Sequence, residues 1–241
     1  MKVTFLGTGT SQGVPVIACN CNVCQSDDAR DKRFRTSVLV EVDGKNILID
    51  AGPDFRMQML RARVSDLSAI LITHEHKDHV GGIDDVRAYN FIHQKPVDIY
   101  CEKRVDDALR REYSYVFADK KYPGVPQINL HDIADETSFS ILGIEIIPIR
   151  AYHHKLPILG FRIGDFTYIT DANFIPEEEK EKIVGTKYLV LNALRKQKHM
   201  SHFSLSEVLF LSAFNKNTLS KLRRTPSLYL SVSRRYSSSI S

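Results

Sequence analysis

The stretch His74-Glu75-His76-Lys77-Asp78-His79 packs three histidines and an aspartate into six residues, and Val80-Gly81-Gly82 follows at once. The preceding Leu67-Ser68-Ala69-Ile70-Leu71-Ile72-Thr73 is a short apolar, partly β-branched run of the buried-strand type. The chain must therefore deliver a buried strand to a polar loop at its C-terminal end. Alternate residues His74 and His76 can reach one ion, and Asp78 and His79 can reach a second. Imidazole nitrogen and carboxylate oxygen together suit zinc, manganese or iron better than calcium or magnesium. A plain polar surface loop is the competing explanation. So dense a ligand set behind a buried strand argues against it.

The length of 241 residues suits one α/β domain or two, and 43% apolar residues suffice for a core. No apolar run approaches the ~20 residues needed to span a bilayer. The start, Met1-Lys2-Val3-Thr4-Phe5-Leu6-Gly7, breaks too early for a signal peptide. The expected location is cytoplasmic, with no membrane partner. Cys19, Cys21 and Cys24 cluster, which reads as a metal site in a reducing compartment rather than a disulfide frame. Three thiolates can wrap one structural zinc, which wants a fourth ligand; ordinary free thiols are the alternative. The formal net charge is +4, yet no acid follows Glu207, while Lys216, Lys221, Arg223, Arg224, Arg234 and Arg235 supply +6. Removing that +6 leaves the preceding body at −2. A mildly acidic body offers no evident basic face, so nucleic acid is the weaker candidate partner.

Read in order, Lys2–Leu6 is a strand, and Gly7-Thr8-Gly9-Thr10 lacks the third glycine of a dinucleotide fingerprint. Ser37–Val42 and Lys45–Ile49 form a hairpin through Asp43-Gly44. Pro53 opens a helix to about Arg63, and Ile83–His93 reads as another, with Asp84 and Asp85 in its first turn. Val97–Cys101 is a strand, and Glu102 to about Tyr115 is a helix. Lys120-Lys121-Tyr122 lies in an exposed loop. Strand pieces from Ile128 to Ile149 lead to His153-His154. A hairpin through Gly164-Asp165 ends at Asp171, and Tyr188–Asn192 is a further strand. Ser204 and Glu207 fit a capping box, which places His202 just ahead of a helix. His93 reads as a surface residue, and His131 fits no spacing pattern.

HEHKDHVGG resembles the HxHxDHxxG signature of the metallo-β-lactamase-fold hydrolases, with further matches from Gly7 to about Glu207. Within that superfamily the chain resembles the branch that contains the PhnP cyclic phosphodiesterase. The alternation of strands and helices supports α/β; the resemblance implies a four-layer αββα sandwich. It implies two divalent cations, zinc or manganese. His74, His76 and His153 would hold one, Asp78 and His79 the other, and Asp171 would bridge them. Asp50 would support the metal loop. The match of His-x-Lys-Leu-Pro-x-x-Gly to the residues from His153 to Gly160 favours His153 over His154. The resemblance further implies that a water shared by the metals attacks phosphorus, with Asp78 in the catalytic set and His202 protonating the leaving oxygen. The expected substrate is a small phosphodiester, cyclic ones included, and a homodimer is open. A thioester or lactone hydrolase, a tRNA-processing nuclease and an impaired remnant are the rivals.

The resemblance stops at about Val208. The branch continues with a segment that supplies a last ligand to the second metal and a histidine to the cysteine site, but no histidine follows His202 here. The expectation is a hydrolase domain over 1–208, a Ser- and Arg-rich basic tail over 209–241, and a weak second metal. A shifted reading frame or a real basic tail could explain the change; composition favours the first.

Overall fold

The computed structural model describes residues 1–133, 137–218 and 227–232. The chain divides into two compact units, Met1–Ile133 and Ala134–Ser241. Each is built on one mixed six-stranded sheet with helices, the α/β class expected.

In the first unit the strands are β1 (Lys2–Gly7), β2 (Ser37–Val42), β3 (Lys45–Ile49), β4 (Ala69–Leu71), β5 (Val97–Cys101) and β6 (Ile128–Asp132), in that order across the sheet. β1, β2 and β3 are antiparallel neighbours, and β3 to β6 run parallel. Asp43 and Gly44 both take positive φ, 48° and 74°, as a two-residue hairpin turn requires. Helices α1 (Phe55–Ala62), α3 (Arg87–His93) and α4 (Lys103–Glu112) join consecutive parallel strands, with the single turn α2 (Lys77–Val80) inside the β4–α3 connection. Leu39, Leu48, Ile70 and Ile99 pack with Phe55, Met59, Val86, Tyr89, Val105 and Leu109 in one core. α1 begins two residues after Pro53, because the Asp54 carboxylate binds Arg35 through its backbone N–H (2.8 Å) and guanidinium (3.0 Å). The helix expected from Ile83 is split into a 3-10 turn over Ile83–Val86 followed by α3.

In the second unit the order is β12, β11, β10, β9, β8, β7. β7 (Phe139–Ile141), β8 (Ile144–His153), β9 (Leu156–Ile163) and β10 (Phe166–Ile169) are antiparallel neighbours. β10, β11 (Tyr188–Ala193) and β12 (Ser227–Val232) run parallel. The helical turn α5 (Glu177–Lys180) lies between β10 and β11, and α6 (Leu205–Thr218) between β11 and β12. Ile149, Ala151, Ile158, Ile169, Leu189 and Leu191 share a core with Ile175, Ile183, Phe203 and Val208. α6 runs across the sequence boundary drawn after Val208, and β12 registers on β11 from Tyr188↔Ser227 to Ala193↔Val232. Residues 219–226 and 233–241, with Lys221, Arg223, Arg224, Arg234 and Arg235, lie outside the described residues.

Candidate functional site

In the first unit, β3 ends at Ile49 and Asp50 turns the chain with φ 65°, in the left-handed region that Asp tolerates better than most residues. Its carboxylate is fully buried. Oδ1 accepts the Thr73 backbone N–H at 2.9 Å, and Oδ2 accepts the Thr73 hydroxyl at 3.0 Å and lies 2.7 Å from His79 Nδ1. Burial pushes the Asp50 carboxyl up, against the pull of His79 and the Thr73 donors. With the Nδ1 proton given to Asp50, His79 carries its lone pair on Nε2. That atom is 3.3 Å from Asp78 Oδ2.

The other pair forms one step earlier. His74 Nε2 lies 3.1 Å from His76 Nδ1, and His74 Nδ1 lies 3.0 Å from the Thr73 hydroxyl. Two ligand atoms each about 2.05 Å from a tetrahedral zinc are about 3.3 Å apart. Both pairs, His74 with His76 and Asp78 with His79, fit that spacing. The segment is not a plain loop. α2 closes a helical turn there, with the His79 N–H on the His76 carbonyl at 2.9 Å, and the His79 ring comes to 4.1 Å from that of His74. Backbone bonds fix the turn from below, Ala51 N–H to His79 O at 2.8 Å and Gly82 N–H to Ala51 O at 2.9 Å. A side chain at Gly52 would collide with the Asp78 carbonyl. α4 and the residue after it hold the outer side: Arg104 pairs with Glu75, Glu112 with Lys77 at 2.5 Å, and Tyr113 donates to Val80 O at 2.8 Å.

The same unit carries the cysteine group. One ligand atom from each of Cys19, Cys21 and Cys24 lies within 4.8 Å of the others, and the thiols are free of disulfides. The Cys24 backbone N–H, with help from Cys19, lowers the Cys21 thiol to about 7, toward the thiolate that zinc takes. Cys24 is buried, and its sulfur accepts the Val16 N–H at 3.3 Å. Among the described residues no fourth ligand joins the three.

In the second unit, β8 extends to His153 because its pairing with β9 persists to His153↔Leu156. His153 Nδ1 lies 2.7 Å from the Ser201 carbonyl, which only accepts, so Nδ1 carries the proton and Nε2 the lone pair. His154 is exposed on the turn with φ 59°, and its N–H donates to Asn173 Oδ1 at 2.6 Å. Asp171 follows β10 with φ 55°. Asn192 clamps the next residue, accepting the Ala172 N–H at 2.9 Å and donating to its carbonyl at 3.0 Å. His202 Nδ1 is 3.5 Å from Asp171 Oδ1, and its ring lies 4.7 Å from that of His153. The capping box forms: the Ser204 N–H donates to Glu207 Oε2 at 2.8 Å, and the Glu207 N–H returns to Ser204 Oγ at 3.4 Å.

Other histidines are engaged elsewhere. His93 Nε2 lies 2.7 Å from Ser65 O, and His131 stacks on Tyr100 with its Nε2 2.8 Å from Asp98. Asp84 pairs with Arg87 and Tyr115. Thr73, Ser201 and Asn192 hold site residues and carried no sequence signal of that role. An asparagine at the end of an apolar strand, as in Leu191-Asn192-Ala193, is the nearest thing to one.

Residues 45–216 match the family model described as "Beta-lactamase superfamily domain". An octanoyltransferase of Porphyromonas gingivalis is 42% identical over 211 residues, which are 87% of this chain but only 42% of that protein. The chain thus spans less than half the length of that relative. A crystal structure of a diphosphatase from the PhnP family is similar at 35% identity with a TM-score of 0.82, covering 95% of this chain and 85% of the other. The short form of human tRNase Z shares the fold, at 20% identity and a TM-score of 0.67 over 98% of this chain and 94% of that one. Among the described residues no helix is long and apolar enough to cross a membrane.

Proposed function

The chain belongs to the beta-lactamase superfamily, with the metallo-β-lactamase fold, and from that we propose that it hydrolyses small phosphodiesters, cyclic ones included, with two divalent cations. The observation that carries this reading is the pair of ligand spacings on one turn, 3.1 Å and 3.3 Å, taken with the likeness to a PhnP-family diphosphatase. In this reading His74, His76 and His153 hold one cation, Asp78 and His79 the other, and Asp171 serves both. When bound, such cations bring the pKa of a water toward neutrality and offset charge on phosphoryl oxygens. The chain's own residues prepare that chemistry. Asp50 fixes the tautomer of His79, and the Ser201 carbonyl fixes that of His153. His202 gives its proton to the leaving oxygen. Cys19, Cys21 and Cys24 hold a structural zinc that fastens the loop after β1.

In this assignment the second cation has Asp78, His79 and the shared Asp171, one protein ligand fewer than the first, and binds more weakly. Titration of metal-free protein with Mn²⁺ or Zn²⁺ is expected to show one tight and one weak catalytic site, with hydrolysis of bis(p-nitrophenyl) phosphate rising as the weak one fills. Two equally tight sites would overturn that asymmetry. His76→Ala, at an exposed ligand position, is expected to lose activity by at least a hundredfold, roughly the upper end of what losing a ligand's support alone costs. Its melting should not change, and wild-type turnover would overturn the assignment.

A second reading, acyl thioester hydrolysis, draws on the name of the Porphyromonas gingivalis octanoyltransferase. That name covers a protein more than twice as long as the matched part, so the phosphodiester comes first. Octanoyl thioester cleavage faster than phosphodiester cleavage would reverse the order.

A further inference from the structure

Three residues after Asp171 the second unit presents Phe174, an aromatic side chain 55% exposed. Its backbone is pinned one residue before His153 by an antiparallel bridge. There the Tyr152 N–H donates to Phe174 O at 2.9 Å, and the Asn173 N–H donates to Tyr152 O at 2.8 Å. The Tyr152 ring lies 6.0 Å from that of Phe174, inclined at 43°. The bridge uses only main-chain atoms of Phe174, so it gives no reason for an aromatic side chain at this place. A large flat side chain on a fixed backbone, with two torsions to order, loses little freedom when a ligand is laid against it.

Met200 is 69% exposed and belongs to the same assembly. The Asn173 amide donates to its carbonyl at 3.2 Å, and Asn173 Oδ1 accepts the His154 N–H at 2.6 Å. One asparagine therefore joins the turn after β8, the segment after Asp171 and the loop ahead of α6. Next to Met200, the Ser201 carbonyl holds His153, and His202 follows. The Phe203 N–H then donates to Ala172 O at 2.8 Å. Phe174 and Met200 thus ride on the segments that carry Asp171, His153 and His202. Ala172 to Pro176 contain no charged residue. Single apolar residues scattered over a surface need no explanation. Two that are joined through one amide, on the segments of the candidate site, are a different case.

We propose that Phe174, with Met200 beside it, is a platform for a planar aromatic ring in the leaving alcohol of the substrate, and that Phe174 thereby sets specificity for that ring. What is cleaved rests on the phosphodiesterase reading above; the ring site itself does not. A phosphodiester carries its charge on the phosphoryl oxygens, which the cations take. Its organic part is neutral and suits an uncharged surface. A ring stacked on an aromatic side chain contributes about 1–3 kcal/mol and tolerates varied substituents, because every aromatic ring has a π-face. The unbranched, polarizable Met200 thioether adapts to such a ring. An aliphatic chain fits less well, because it is held by enclosure in an apolar cleft and here both side chains are exposed.

The test uses the full chain with Mn²⁺ and two substrates, methyl phenyl phosphate and methyl 2-naphthyl phosphate. Their leaving oxygens are similarly acidic, and their ring areas differ. Wild type is expected to prefer the naphthyl ester in kcat/KM by about threefold or more, a fraction of what a whole stacked ring contributes. In Phe174→Ala the preference should fall to about one. Phe174→Tyr should keep it, and Phe174→Leu, apolar but not planar, should lose most of it. Isothermal titration of the same Mn²⁺-loaded chains with phenylphosphonate and 2-naphthylphosphonate is expected to show the same order in Kd and the same loss in Phe174→Ala. If neither ester is cleaved but naphthylphosphonate binding depends on Phe174, the phosphodiesterase reading falls and the ring site stands. If both esters are cleaved with a ratio that Phe174→Ala does not move, the ring site falls and that reading stands. Octylphosphonate binding more tightly than naphthylphosphonate would reveal an acyl or alkyl groove and also overturns the proposal. Should Phe174→Ala fail to fold, Met200→Ala at its exposed position must lower the naphthyl preference about twofold or more, or the proposal is wrong.

Discussion

Asp50 and Asp171 share a backbone state and differ in surroundings. Each follows a strand that has a parallel neighbour on one side, β3 beside β4 and β10 beside β11. Each takes a left-handed φ, 65° and 55°, and each precedes a fully buried alanine. In the first unit the alanine is held by the backbone of the histidine turn, through His79 O and the Gly82 N–H. In the second it is held by a side chain, the Asn192 amide. The two carboxylates then part company. Asp50 is fully buried and accepts from Thr73 and His79, whereas the Asp171 side chain is 18% exposed with His202 nearby. The same strained corner throws a carboxylate off the end of a strand in both units. What packs round it decides whether it supports another ligand or can serve as one.

The comparison breaks most readily at Asp50. Asp50→Ala would strand His79 Nδ1 and two Thr73 donors in a dry interior and should cost about 3–5 kcal/mol. Asp171→Asn keeps a residue that tolerates the left-handed φ and should cost metal-free protein no more than about 0.5 kcal/mol, while reducing bound metal. Urea unfolding of the two metal-free variants decides it, and equal losses would erase the distinction between supporting and ligating aspartates.

Asn192→Ala sharpens the contrast between a backbone clamp and a side-chain clamp. It removes both hydrogen bonds to Ala172 and should cost about 2 kcal/mol, with Asn192→Asp recovering part through the retained acceptor. No loss of stability in Asn192→Ala would mean that β10 and β11 hold the Asp171 corner unaided.

The smallest effect concerns the entry to α6, which has no counterpart beside Asp50. Ser204→Ala should cost about 1 kcal/mol at neutral pH. Burial acts to raise the Glu207 pKa, but the Ser204 hydroxyl and N–H outweigh it and leave the carboxylate below its usual range. A carboxylate held low contributes stability that is present above its unfolded pKa and lost as pH falls through its folded value. The gap between wild type and Ser204→Ala should therefore be constant near pH 7 and shrink below about pH 4. Melting at both pH values checks this, and a gap that widens in acid would show that Glu207 is not the partner.

The features legible in the sequence are those written in adjacent residues. The Asp43-Gly44 hairpin, the buried run before His74 and the Ser204–Glu207 box each depend on partners a few positions apart, and each formed. Where distant residues intervened, local expectation slipped. α1 starts late because Asp54 is drawn to Arg35, 19 residues back. β8 runs on to His153 because β9 offers it a partner to the end. Thr73 and Asn192 are unremarkable in sequence, and they support the site through atoms that a linear reading cannot pair.

By itself the sequence determined the donor types and their order, two histidines and then Asp-His on one short turn, because chain connectivity alone puts those side chains together. The tertiary structure decided which nitrogen of each ring carries the lone pair. That choice belongs to whatever accepts the proton on the other nitrogen. For His79 the acceptor is Asp50, 29 residues earlier, and for His153 it is the carbonyl of Ser201, 48 residues later. No local pattern fixes such partners; only the folded path of the chain brings them within hydrogen-bond reach.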